Sequence, residues 1–255
     1  MAPQNPVSKL LSWFGELGIF VSRLVRTTFA PPYEFRELMR QMDEIGSKSL
    51  PLVSLAGCAL GAVMSMHLRD SLIRFGGKAL LPAVIILALV KESGPIVTAL
   101  VVSGRAGAGI GAELGSMRVT EQIDAMEVSA VDPFRFLVAT RVLACMLVLP
   151  LLTVVADFCG IMTGWAANAV IEPLSFELFI REGFGRLLYS DLLPATLKTT
   201  VFGFLIGLIG CFQGMRASGG TEGVGRAATS SVVIASLFVI FSNVVLVRGI
   251  QVWFE

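Results

Sequence analysis

Lys91-Glu92-Ser93-Gly94-Pro95 sets two opposite charges beside a Gly-Pro pair near the middle of an apolar run from about Lys78 to Ser103. An ionisable group at mid-bilayer costs on the order of 3 kcal/mol on insertion scales, so it usually faces a cavity or a partner. Pro95 has no N–H to offer the carbonyl of Lys91, and Gly94 weakens the same turn. Two charges on a loosened helix fit a cavity wall. The competing explanation is a structural pair, Lys91 with Glu92 or Glu92 with Lys198 of another span. Asp157 and Lys198 also fall inside apolar runs. Nothing else polar converges on them in the sequence, which favours helix-to-helix hydrogen bonding over contact with a substrate.

Other chemistries find few residues. His67 is the only histidine, too little for a zinc site or a histidine-based triad. Cys58, Cys145, Cys159 and Cys211 lie in apolar runs without a CxxC pair and read as small buried hydrophobes. The chain contains no GxxxxGK[ST] motif, so it binds no ATP by a P-loop. Two GxGxxA matches, at Gly107–Ala112 and Gly223–Ala228, follow no β-strand and suit close helix contact better than a dinucleotide. No nucleophile–base pair or metal set points to a membrane enzyme, and a net charge of +1 gives no reason to expect nucleic acid.

The second candidate lies within Ser103–Pro133, between two apolar runs, and reads as a cap at a membrane face. Gly104, Gly107, Gly111 and Gly115 are spaced to leave a smooth strip along one helix side. A short amphipathic helix is expected over residues 118–130, with Val119, Ile123, Met126 and Ala130 on one face, Glu121 and Asp124 opposite, and Thr120 as N-cap. Helices that bind anionic lipid carry Lys and Arg on the polar face. This one carries acid, which suits a groove on a soluble protein, the alternative being a solvated loop helix with no partner.

The elements that hold these residues are apolar helices. The chain is 55% hydrophobic and 15% charged, with mean hydropathy +0.78. The bilayer is therefore the expected solvent, and the fold class is all-α integral membrane protein. The start MAPQNP lacks a basic n-region, so no signal peptide is expected. Residues 7–29 form an amphipathic helix expected to lie in the interface with Trp13 and Phe14 near headgroup level, a first span being the alternative. Tyr33–Ile45 reads as a second amphipathic helix stopped by Gly46. These two make an N-terminal region, residues 1–48, ahead of a membrane-spanning domain, residues 49–255.

Five spans follow. The first opens at the N-cap Ser49 and runs to Leu68 with Gly57 and Gly61 as a GxxxG pair. The others cover about Lys78–Ser103, Phe136–Val170, Asp191–Phe212, with Gly203, Gly207 and Gly210 as a close-packing strip, and Thr229–Val247. Ile171–Ser190 is a far-side loop helix, and residues 213–228 are a glycine-rich loop. Five spans put the N-terminus and both glycine-rich segments on one side. Lys9, Arg23, Arg26, Arg36, Arg40, Lys48, Arg105, Arg118, Arg135, Arg141, Arg216 and Arg226 lie there, against Arg69, Arg74, Lys78, Arg181, Arg186 and Arg248 opposite. That excess makes the first side cytoplasmic.

GRAGAGIGAELGSMRVTEQIDAMEV with VDPFRFLVATRVLA, then GMRASGGTEGVGRAATSSVV, with KESGPIVTALVVSGR and PLLTVVADFCG, closely resembles the MlaE/YrbE permeases over residues 45–250. These are the membrane subunits of lipid-transporting ABC systems that work with MCE-domain proteins. The resemblance implies a permease in the bacterial inner membrane that moves phospholipid between that membrane and a periplasmic MCE-domain protein, maintaining outer-membrane lipid asymmetry. A partner ATPase would use ATP and Mg, and this chain would hold no cofactor. The resemblance places the charged pair before Gly-Pro beside a lipid pocket and makes the acidic helix the ATPase dock, through Thr120, Glu121, Gln122, Ile123, Asp124, Met126 and Glu127. Two ATPase heads call for two copies, hence a homodimer. The cavity would lie between the copies, walled by the first, second and fifth spans, with Leu60, Val63, Met64 and Val97 beside Glu92 and Lys91. Two other classes stay open: an ion-coupled secondary carrier using Glu92, Lys91 and Asp157, and a non-transporting scaffold.

Overall fold

The computed structural model describes residues 6–29, 31, 33–172, 175–185 and 189–254. Residues 1–5, Arg186 and the side chain of Lys9, which carry parts of the expectations above, lie outside what is described. The described residues are helical without a strand. In chain order the helices are α1 (Pro6–Thr28), α2 (Phe35–Arg74), α3 (Lys78–Val119), α4 (Gln122–Val128), α5 (Phe134–Ile171), α6 (Phe176–Phe184), α7 (Tyr189–Met215) and α8 (Gly220–Phe254). Five of them, α2, α3, α5, α7 and α8, are long and apolar enough to cross a bilayer.

Three expected breaks prove helical. Gly46 does not stop a helix and Ser49 does not start one, because α2 runs unbroken from Phe35 to Arg74 with Pro51 inside it. The weak stretch is tied down from outside. Arg105 of α3 donates through Nη1 to the carbonyls of Glu44 (3.1 Å) and Ile45 (3.3 Å) and to the Ser49 hydroxyl (3.2 Å). The span expected to end at Ser103 continues to Val119. Residues 220–228, expected in a loop, form the first turns of α8. At about 1.5 Å per residue, α2 and α3 are each roughly 60 Å long, twice the hydrocarbon thickness, so their ends project beyond it.

Small residues set the closest approaches. A Cβ on Gly57 would overlap the backbone of Ala156, and one on Gly61 the carbonyl of Gly160, so α2 and α5 meet backbone to backbone. Gly203 and Gly207 seat α7 on Cys145 and Val142 of α5 in the same way. The strip on α3 is shorter than expected: Gly107, Gly111 and Gly115 have neighbours on α7, α8 and the turn between them, whereas Gly104 faces open space.

α1 lies against the end of the bundle that carries α4. Leu17 and Leu24 are buried. Trp13 meets Phe212 edge-on at 5.5 Å, Phe20 meets Phe134 at 4.8 Å, and the Arg23 guanidinium sits 4.6 Å from the Phe134 ring centre. Phe14 is exposed.

Candidate functional site

The motif around Glu92 sits where α3 widens. Leu89–Ser93 form a π turn directly ahead of Gly94-Pro95, a local answer to the N–H that proline lacks. Lys198 of α7 reaches into this turn. Its ammonium donates to the Lys91 carbonyl at 2.5 Å and lies 3.2 Å from Glu92 Oε2. Asn243 of α8 donates its amide to the same Glu92 oxygen at 3.5 Å. Lys198 is only 3% exposed, so this cation has left water and is held by protein groups. Asp157 of α5 lies against the other side of the turn, where a Cβ on Gly94 would overlap its Oδ1. The Oδ1 atoms of Asp157 and Asn243 are buried with no hydrogen-bond partner in the protein.

Four spans thus meet at one polar cluster. The sequence-based expectation that nothing polar converges on Lys198 is corrected: Glu92 and the Lys91 carbonyl bond it, and Asn243 shares the Glu92 carboxylate. Glu92 pairs with Lys198, one of the two partners considered for it. The Lys91 side chain stands at an exposed position while its carbonyl takes part in the cluster.

The expected apolar lining divides. Leu60 and Met64 pack onto the buried group of Leu81, Ile85, Ile86 and Leu89. Val63 is 52% exposed on another side of α2, and Val97 is half-buried on α3. These residues do not form one wall with Glu92 within a single chain. A groove of about 430 Å³ does adjoin the cluster, between α7 and α8. Leu193, Leu197, Val201, Val245, Leu246 and Ile250 line it, and Lys198 belongs to its wall. Sequence reasoning missed Asn243, whose signal was a lone amide inside an apolar run. It also missed the α7 side of the groove, which carries no signal beyond hydrophobicity.

At the opposite end of α3 the chain turns sharply. Thr120 closes the preceding helix and does not cap the next one; its hydroxyl donates to the Ser116 carbonyl at 2.8 Å. The N-cap position belongs to Glu121, in the left-handed region at φ 58°. The acidic helix is therefore Gln122–Val128, shorter than the expected 118–130, with Val119 left on α3 and Ala130 beyond the end at φ 61°. Ile123 is buried at 1% exposure and Met126 packs against the same core. Asp124 pairs with Arg118 at 2.6 Å. Glu121, Gln122 and Glu127 lie outside the buried set, Glu121 exposed. The helix is thus a short acidic plug pinned through one isoleucine. Arg141 is buried inside α5 and donates to Glu113 at 2.7 Å, so its charge is paired within the bundle.

The model of the family described as Permease MlaE matches residues 38–248. The chain belongs to the MlaE permease family. A probable ABC transporter permease protein of Rickettsia typhi is 34% identical over 229 residues, covering 90% of this chain and 88% of its own length. One from Synechocystis is 33% identical over 208 residues, covering 82% and 79%. One from Porphyra purpurea is 32% identical over 217 residues, covering 85% and 82%. This MlaE-family chain is accordingly an ABC transporter permease subunit and a multi-pass membrane protein. The match begins inside α2, before the first fully apolar stretch, and takes in the Glu92 cluster and the plug.

Proposed function

We propose that this permease moves phospholipid, driven by ATP hydrolysis in a separate ATPase subunit docked on α4. The observation that carries the cargo reading is the double membership of Lys198: it belongs both to the polar cluster at Glu92 and to the apolar groove between α7 and α8. A site with a buried cation, a carboxylate and unsatisfied acceptors at one end and aliphatic side chains along the rest suits a molecule with a polar headgroup and long tails. Leu60, Val63, Met64 and Val97 join that lining in a two-fold pair of chains. The exposed stripe Val233, Leu237, Phe241 and Val244 on α8 is a surface on which a second copy can pack.

The ATPase would meet Glu121, Gln122 and Glu127, with Ile123 and Met126 bracing the joint from behind. ATP and Mg belong to that partner. Closure of its heads would push α4 and rock α3. Cargo would pass between a bacterial inner membrane, with α4 on the cytoplasmic side, and a periplasmic MCE-domain protein, in support of outer-membrane asymmetry. The test is copurification in mild detergent with mass spectrometry of bound proteins and lipids, followed by reconstituted transfer of a fluorescent phospholipid. An ATPase, bound phospholipid and ATP-dependent transfer that Glu92→Ala impairs are expected. A lone polypeptide without lipid, or transfer without ATP, overturns the reading.

A further inference from the structure

A second cavity, of about 630 Å³, opens at the opposite end of the bundle from α4, where α2 ends, α3 begins and α5 meets α6. One wall is apolar, with Ile73, Leu81, Pro82 and Leu178; the other is ionic. Arg69, 8% exposed, bonds Asn168 Oδ1 at 3.4 Å and Glu172 Oε2 at 3.2 Å. Lys78 bonds that same Glu172 oxygen at 2.5 Å. Behind them Asn168 donates to Ser65 and to the Gly164 carbonyl, which fixes the amide that orients the guanidinium. An ammonium has three N–H groups and a guanidinium five. One carboxylate oxygen and one amide oxygen use only part of that donor set. Glu182 adds a second carboxylate to the lining, so two cations face two anions.

From this arrangement we propose that the cavity is a lipid headgroup subsite for a zwitterionic aminophospholipid. Its phosphate takes the donors of Arg69 and Lys78 in partial exchange with Glu172, its ammonium meets Glu182, and the tops of its chains lie along Ile73, Leu81 and Leu178. A neutral pocket of paired charges fits a neutral headgroup of paired charges, and planar Arg with mobile Lys is a common phosphate-binding set. The subsite rests on the phospholipid reading above but is separate from the Glu92 cluster, at the other end of α3's first half.

The test uses the full complex in nanodiscs with photoreactive lipids whose diazirine sits near the glycerol, and maps adducts by peptide mass spectrometry. Phosphatidylethanolamine probe should label peptides containing Ile73 and Leu178. Lys78→Gln, whose side chain is 59% exposed and carries little packing, should lower that labelling about fivefold, in line with loss of one charge-assisted contact. Equal labelling by a diacylglycerol or a phosphatidylglycerol probe overturns the proposal, as does full competition by soluble glycerophosphoethanolamine, which would make the occupant a free phosphate ester. Absence of label here with ATP-driven transfer intact removes this subsite alone; absence of lipid and transfer everywhere removes the reading it rests on.

Discussion

The Lys198 ammonium caps the Lys91 carbonyl at 2.5 Å, at the turn where Pro95 withholds its N–H. One side chain from α7 thereby serves as the missing backbone donor of α3 and as counter-ion to Glu92. Lys198→Met removes both. It should destabilise the detergent-solubilised protein by about 2 kcal/mol, the cost of a broken buried pair discounted because the Glu92 side chain is 40% exposed. Glu92→Gln added to it should recover part of the loss, read as melting temperature in a double-mutant cycle.

Gly94 gives room to the Asp157 carboxylate. Gly94→Ala should cost about 1–3 kcal/mol through overpacking. Asp157→Ala in the same chain should relieve that strain, so the two changes together should be less harmful than their sum. Strict additivity in thermal melts would refute the contact.

Glu121 holds a left-handed conformation that side chains disfavour by roughly 1 kcal/mol. Glu121→Gly should therefore raise the permease's own stability slightly while weakening recovery of an acid-recognising ATPase partner. Glu121→Lys with Asp124→Lys should weaken recovery further, because it also breaks the Asp124–Arg118 pair. Pull-down yield and melting temperature, measured together, separate the two effects.

The helices were largely legible from hydrophobicity, since runs of uncharged residues longer than a bilayer leave little choice. Their ends were not. Gly46, Ser49 and Pro51 read locally as a stop and a restart, yet Arg105, far away in sequence, holds that stretch helical. Likewise Ser103 looked like a boundary because polar residues follow it, but its hydroxyl lies within bonding reach of Val232 and Ser236 on α8, so it is interior. At the site, the intramembrane position of Glu92 and the loosened turn ahead of Gly94-Pro95 could be read directly. Its partners could not, because contacts between α3, α7 and α8 depend on register across separate spans, and single charges in apolar runs carry no address.

Glu172 is held below the ordinary carboxylate range, first by its hydrogen bond from Lys78 and then by the charges of Lys78 and Arg69. A carboxylate depressed in the folded state stabilises above its unfolded pKa and loses that effect as pH falls through the folded value. The melting temperature of the native chain should therefore exceed that of Lys78→Gln at neutral pH, and the gap should close only below the reference value of 4.5. A gap that persists through strongly acid conditions would show that Lys78 acts through packing.

α3 is one rod from Lys78 to Val119, with wide turns at Leu89–Ser93 and Ser103–Gly107. About 40 Å of helix, at roughly 1.5 Å per residue, separates Val119 from Glu92. One of the two wide turns contains Glu92 itself. Under the docking proposed above, a push on α4 would pass into the same helix that holds Glu92, so lever and latch would be parts of one piece of backbone.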